Sequence, residues 1–278
     1  TTCCHPQRDI LGVRIESSAD LGEFLAIEFA FPYGSTIHTG DPAVWSELER
    51  HTTTPTRQGP GSVTWRRSLD EDGYVVRASW AGDAELRRRA EHEFAIAPAP
   101  GSHRLDLVVE FSPTEAADPL PGFDQVRQDS AASWEDFWSS GAVIDLSGTA
   151  DPRARELERR IVLSEYLTAI NCAGSIPPQE TGLTFNSWHG KFHLEMHWWH
   201  AAHFALWGRV EMLERSLPWY ARVLERARVH AGIGERGAVA ARPGDAHAFA
   251  QLDHLRAISF ETFRHAHLIL QAETHRRL

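Results

Sequence analysis

The chain has 278 residues, enough for one large domain or two smaller ones, and 42% apolar with 24% charged residues is ordinary globular composition. A formal charge of −10 argues against a nucleic-acid partner, because neutralising phosphates needs clustered Lys and Arg. No apolar run approaches the roughly 20 residues of a membrane helix, so no membrane partner is expected.

The opening Thr1-Thr-Cys-Cys-His-Pro lacks the basic and apolar regions of a signal peptide. Cys3, Cys4 and Cys172 are too few and badly placed for a disulfide framework or a zinc ribbon. Free or structural thiols in a reducing, cytoplasmic compartment are the expectation.

Residues 1–113 read as an antiparallel β-sandwich. Short runs alternate between faces as half-buried strands do. In 73–80, Tyr74, Val76, Ala78 and Trp80 share one face, and Val75, Arg77 and Ser79 the other. In 104–111, Leu105, Leu107, Val109 and Phe111 share a face, and similar runs occur at 12–16, 24–32, 63–67 and 93–98. Gly59-Pro-Gly-Ser62 and Ala97-Pro-Ala-Pro-Gly101 supply turns between runs. An opening strand this close to residue 1 leads us to expect that earlier strands are missing.

Residues 114–150 read as a linker. Asp118-Pro-Leu-Pro-Gly122 ends the β-region, and 129–139 reads as a short helix with Trp134, Phe137 and Trp138 on one side. The two tryptophans are either sugar platforms or plain packing. From Asp151 the period becomes helical, with Asp151 as N-cap and Pro152 at the first helical position. Ala154, Leu157 and Ile161 make one apolar stripe, and Leu163, Tyr166, Leu167 and Ile170 a second on another face. The spacing predicts a helix of about 22 residues, ending before Gly174. A long loop over 174–190 follows, of a length that is usually either functional or disordered, and Asn186 and Trp188 leading into a helix favour the functional reading. Further helices are expected at 192–207 and 211–230, the latter bent near Pro218. Residues 231–278 hold no lysine, tryptophan or tyrosine, and their apolar stripe is irregular.

Residues 186–207 concentrate the chemistry, with five of the sixteen histidines and four of the ten tryptophans. Lys191 is the only lysine in a chain that otherwise uses arginine, which suggests a need for a compact ammonium at this point. At about 100° per residue, Trp188, Lys191, Glu195, Trp198, Trp199 and Ala202 fall on one side of a helix, and His189, His193, His197, His200 and Phe204 on the other. Lys191 and Glu195 are four apart, so they form either a surface pair or the polar end of an aromatic pocket. An aromatic pocket with a charged pair suits a sugar, whose CH-rich faces lie on indole while hydroxyls bond to charged groups. His193, His197 and His200 have spacing that zinc could use, although Glu195 sits at the wrong offset for His-Glu-x-x-His. No phosphate loop, Gly-x-Ser-x-Gly elbow or Cys-His nucleophile pattern occurs.

Four segments carry a resemblance: Ala132-Ser-Trp-Glu-Asp-Phe-Trp, Glu156-Leu-Glu-Arg-Arg-Ile, Pro177-Pro-Gln-Glu-Thr-Gly-Leu, and Asn186-Ser-Trp-His-Gly-Lys-Phe-His-Leu-Glu-Met-His-Trp-Trp-His. Together they resemble bacterial six-hairpin glycosidases, and the chain is similar to maltose and trehalose phosphorylases, glucosylgalactosylhydroxylysine glucosidases and inverting α-fucosidases. The resemblance spans residues 1–230. It implies an α+β multidomain fold: a β-sandwich, a helical linker, and over 151–230 the first helices of an (α/α)6 barrel. It further implies an inverting glycoside hydrolase acting on α-linked glycosides without a cofactor. Asn186, Trp188, Lys191, His193, Glu195 and Trp199 would line its sugar site. Glu195 is the only carboxylate there to consider as the acid, and the resemblance makes it a binding residue. The family's general acid comes from a later barrel loop, so we expect a truncated chain lacking it, a foreign or frameshifted segment over 231–278, and self-association through exposed inner barrel faces. A non-catalytic carbohydrate-binding or interaction protein, and a histidine-dependent metalloprotein, stay open as alternatives.

Overall fold

The computed structural model describes residues 1–34, 43–70, 72–179 and 194–230, with side chains at all of these except 194, 195 and 226–230. The fold is mixed α+β, with an antiparallel, sheet-rich N-terminal part followed by helices. The chain divides into two compact units, whose described residues are 1–34, 43–70 and 72–135 in the first, and 136–179 and 194–230 in the second.

In the first unit, β1 (Thr2–Cys4), β2 (Ile10–Glu16), β11 (Arg104–Ser112), β8 (Asp72–Ala81), β7 (Ser62–Leu69) and β6 (His51–Gly59) form a six-stranded sheet in that order. A three-stranded sheet runs β3 (Ile27–Ala30), β10 (Glu93–Pro98), β9 (Ala84–Ala90), and β4 (Tyr33–Gly34) pairs with β5 (Ala43–Val44). Every pairing is antiparallel.

Alternation fills the core from both sheets. Val63 and Trp65 of β7, Tyr74, Val76 and Ala78 of β8, and Leu105, Leu107 and Val109 of β11 meet Ile27 and Phe29 of β3 and Phe94 and Ile96 of β10. Trp65 is fully buried, with ring centroids 5.0 Å from Phe29, 5.8 Å from Phe31 and 5.1 Å from Phe94. The opposite face of the large sheet is also covered. There Ile10 and Val108 pack on Phe123 and Val126 of helix α1 (Phe123–Ser139). A Cβ at Gly12 would lie 3.2 Å from Val126 and 3.3 Å from Phe123, so a bare backbone lets α1 sit close on the sheet. Glu110 is buried on that face between Arg8 (2.6 Å) and Arg77, whose Nε donates at 2.7 Å. Arg14 forks onto Asp106, holding its carboxyl down at about 2, and lies over the Phe123 ring at 4.1 Å.

Several elements depart from the reading of the sequence. β6 and β9 carry no apolar alternation. Both are edge strands, held by the ladder on one side, and β6 tolerates Pro55 at a register shift. The helix expected over 129–139 begins at Phe123, where Gly122 O accepts from Gln125 and Val126 and the apolar pair docks on the sheet.

In the second unit, α2 spans Ala154–Cys172, because Asp151 turns back on Arg153 N (2.9 Å) one turn ahead of the helix. The helix expected over 211–230 is two, α4 (Val210–Glu214) and α5 (Pro218–His230), with Pro218 opening the second as its first residue. α3 spans Leu194–Leu206. Most of the 174–190 loop and the whole of 231–278 lie outside the described residues.

Trp65 Nε1 is buried and meets no hydrogen-bond partner among the described residues. Trp65→Ala should cost about 3–5 kcal/mol by opening a cavity between the sheets. Trp65→Phe removes the orphan donor with part of the volume and should cost under about 1.5 kcal/mol. Urea denaturation of both variants tests this; equal losses would contradict it.

Candidate functional site

Helix α3 carries the densest run of aromatic and histidine residues among the described helices, and its direction is set at its C-terminal end. Gly208 has φ +74°, and the helix closes with Gly208 N on Ala205 O (3.2 Å) and Arg209 N on Phe204 O (2.7 Å), a Schellman arrangement. A second left-handed glycine, Gly141 with φ +71°, crosses it. A Cβ at Gly141 would lie 2.5 Å from Trp207 O, and one at Gly208 would lie 3.3 Å from Gly141 Cα. Ala142 N donates to Trp207 O at 2.7 Å across this crossing.

Arg209 locks it. Its side chain is almost wholly buried; Nη1 donates to Glu165 Oε2 of α2 (3.1 Å), Nη2 to Phe137 O (3.1 Å) and Ser140 O (3.0 Å), and the guanidinium lies over the Phe137 ring at 4.2 Å. One planar cation thus ties α2, the last turn of α1 and the end of α3.

With α3 so placed, Ala201 and Phe204 pack against Cys172, and His197 points inward. His197 Nδ1 lies 2.7 Å from Tyr220 Oη, and Nε2 lies 2.9 Å from Ser216 Oγ. Ser216 Oγ donates to Leu213 O (2.9 Å), so every group is satisfied when Tyr220 donates to Nδ1 and Nε2–H donates to Ser216. That tautomer points its proton toward the serine. A general base needs the reverse, and Ser216 has no exposed surface. The Ser216-His197-Tyr220 set is therefore a structural clasp between α3 and α5. Burial, and then His200, hold His197 below the ordinary histidine range. Burial also pushes the Cys172 thiol up to about 12, so it is no nucleophile at neutral pH.

The opposite side of α3 is open. Trp198 and Trp199 are 71% and 73% exposed, although indoles ordinarily bury most of their surface. Trp134 and Trp138 of α1 are half-buried, with Trp138 edge-on to Phe137 at 4.8 Å.

Of the residues the sequence singled out for a sugar site, Trp199 stands on this open face. Glu195 lies in the first turn of α3, four residues before Trp199, with its side chain outside the described residues. Asn186, Trp188, Lys191 and His193 lie outside the described residues altogether. Among the proposed zinc ligands, His193 is outside them too, and both ring nitrogens of His197 are already engaged. Among the described residues, no group of three or more His, Cys, Asp or Glu is placed to hold a metal ion. Sequence reading missed Arg209, Ser216 and Tyr220, whose partners are too distant along the chain for any local pattern to reveal.

No protein-family model matches the chain, and no curated protein matches it.

Arg209→Met leaves Glu165 buried without its cation and should destabilise the second unit by about 3–5 kcal/mol. Adding Glu165→Leu should recover part of that loss, as measured by chemical denaturation. A double variant no more stable than Arg209→Met would contradict the pairing.

Proposed function

We propose that this chain is a carbohydrate-directed protein of six-hairpin-glycosidase type, a β-sandwich ahead of the opening helices of an (α/α)6 barrel, and that it engages α-linked glycosides on the tryptophan face of α3. The exposed pair Trp198 and Trp199 carries the reading. Two neighbouring indoles held in water by a helix whose other face is fixed offer flat apolar surface to the CH faces of a sugar ring. Glu195, on the same helix, and the sequence neighbours Lys191 and His193 supply the hydroxyl-binding groups of this proposal.

The chemistry would be inverting. That outcome needs a carboxylic acid and a carboxylate about 6.5–9.5 Å apart across the scissile bond. Glu195 takes the role of a hydroxyl ligand here, and we assign no general acid among the described residues. Sugar engagement is therefore the core of the proposal, and hydrolysis or phosphorolysis its extension.

A non-catalytic interaction role is the second reading. Leu157, Val162, Leu163, Tyr166 and Ile170 of α2 are all exposed, and apolar surface gathered on one helix in this way marks an interaction site.

The test is a panel of α-glucosides and α-fucosides, with and without phosphate, offered to the purified chain and to Trp199→Ala and Glu195→Gln. Binding of at least one sugar should weaken about tenfold in Trp199→Ala, the loss of roughly 1.4 kcal/mol of stacking, with the melting temperature unchanged because the residue is exposed. Equal affinity in Trp199→Ala, or no sugar bound, would overturn the reading. Turnover abolished in Glu195→Gln would promote that residue from ligand to catalytic carboxylate.

A further inference from the structure

The first unit encloses a polar cluster that the proposed function does not use. Arg67 of β7 has no exposed surface and, among the described residues, forms no ion pair. A guanidinium has five N–H donors, and each finds a neutral acceptor. Nε donates to Tyr74 Oη (3.2 Å); Nη1 to Thr52 O (3.0 Å) and Thr53 Oγ1; Nη2 to Pro32 O (3.0 Å) and His51 Nδ1 (2.8 Å).

Arg67 has only donors to give, so His51 Nδ1 is the acceptor and the ring is neutral with its proton on Nε2. That Nε2–H is buried and meets no partner among the described residues. His92, in the turn between β9 and β10, stacks on His51 with ring centroids 3.8 Å apart. Its Nε2–H donates to Leu48 O (2.9 Å), and its Nδ1 accepts from Thr53 Oγ1 (2.8 Å).

We propose that His51 is an acid-sensitive latch on the edge strand β6. Protonating Nδ1 replaces the acceptor for Arg67 Nη2 with a second donor, and sets one buried cation against another with no carboxylate among the described residues in contact to compensate. The groups facing His51 among the described residues are Arg67 from β7, His92 from the β9–β10 turn and Tyr33 from β4, whose ring centroid is 6.0 Å away. None answers a new positive charge: the Tyr33 hydroxyl already donates to Asp70 Oδ2 (2.6 Å) and accepts from Arg50, which is itself paired with Glu47. β6 is an edge strand of the sheet and, among the described residues, ladders only with β7, so it can open without breaking a second ladder. Release would also free Thr52, Thr53 and the Pro32 carbonyl.

Burial, then Arg67 and His92, depress His51 to about 4 from an ordinary value of 6.5. The sign follows. The open state takes up the proton first, so the latch holds fully above about pH 6.5 and weakens as pH falls toward 4.

The experiment is hydrogen exchange of the full chain, corrected for intrinsic rates, followed in peptides covering β6 and, as an internal control, α5. From pH 7.5 to pH 5, protection of β6 should fall on the order of 30-fold in the native protein, the ratio of the two proton-binding polynomials. In His51→Gln, whose side-chain oxygen still accepts from Arg67, it should change less than about threefold. An equal fall in His51→Gln overturns the proposal. Imidazole NMR of the native protein tests it without any variant: His51 should remain the neutral Nε2–H tautomer at pH 6, and a protonated ring at that pH overturns it.

Discussion

The helical unit depends on one buried guanidinium. Arg209 reaches the carbonyls that end α1, the carboxylate of Glu165 on α2 and the Phe137 ring, from the residue that follows the left-handed turn at Gly208. Two chain segments cross there so closely that Gly141 leaves no room for a side chain and Gly208, also left-handed, leaves little. The crossing fixes where α3 ends, and so which of its faces turns inward. His197 then closes onto Ser216 and Tyr220, and Trp198 and Trp199 are left facing water. An ion pair this buried is costly to desolvate, so its net contribution to stability is smaller than the attraction between the two charges alone.

The β-rich unit uses a guanidinium differently. Among the described residues Arg67 pairs with no carboxylate and is satisfied by carbonyls, hydroxyls and a neutral imidazole, which is why His51 protonation is proposed to loosen it. Around it the sheets share an aromatic centre built on Trp65, Phe29, Phe31 and Phe94, which resists local opening. The polar cluster lies toward the β6 edge, where a strand can open without breaking a second ladder. Rigidity and responsiveness are thus divided between two regions of one unit.

What was legible in the sequence follows from what local patterns encode. β7, β8, β10 and β11 were readable because one face of each meets the shared core, which imposes a period of two. β6 and β9 were not: the edge strand His-Thr-Thr-Thr-Pro-Thr is kept by hydrogen bonds to β7 and by the Arg67 cluster, neither of which leaves an alternating trace. Pro218 was recognised as an interruption, but whether it bends one helix or starts another is decided by the turn at Arg215–Leu217, whose amides bond back to Glu211, Leu213 and Glu214. On α3 the projection separated Trp198 and Trp199 from His197 and Phe204, the division the structure displays. It could not show that His197 is clasped, because Ser216 and Tyr220 lie 19 and 23 residues away. Asn186, Trp188, Lys191 and His193, the remainder of the sugar site read from the sequence, lie outside the described residues.

The central claim is that the open face of α3 meets sugar through its indoles. Its most direct measurement is an indole N–H correlation spectrum of the purified chain, with each tryptophan assigned by substitution, titrated with a soluble α-glucoside. The account predicts that the Trp198 and Trp199 resonances shift together and saturate, while those of the buried Trp65 and Trp219 stay in place. Saturating sugar that leaves both exposed indoles unmoved would contradict it.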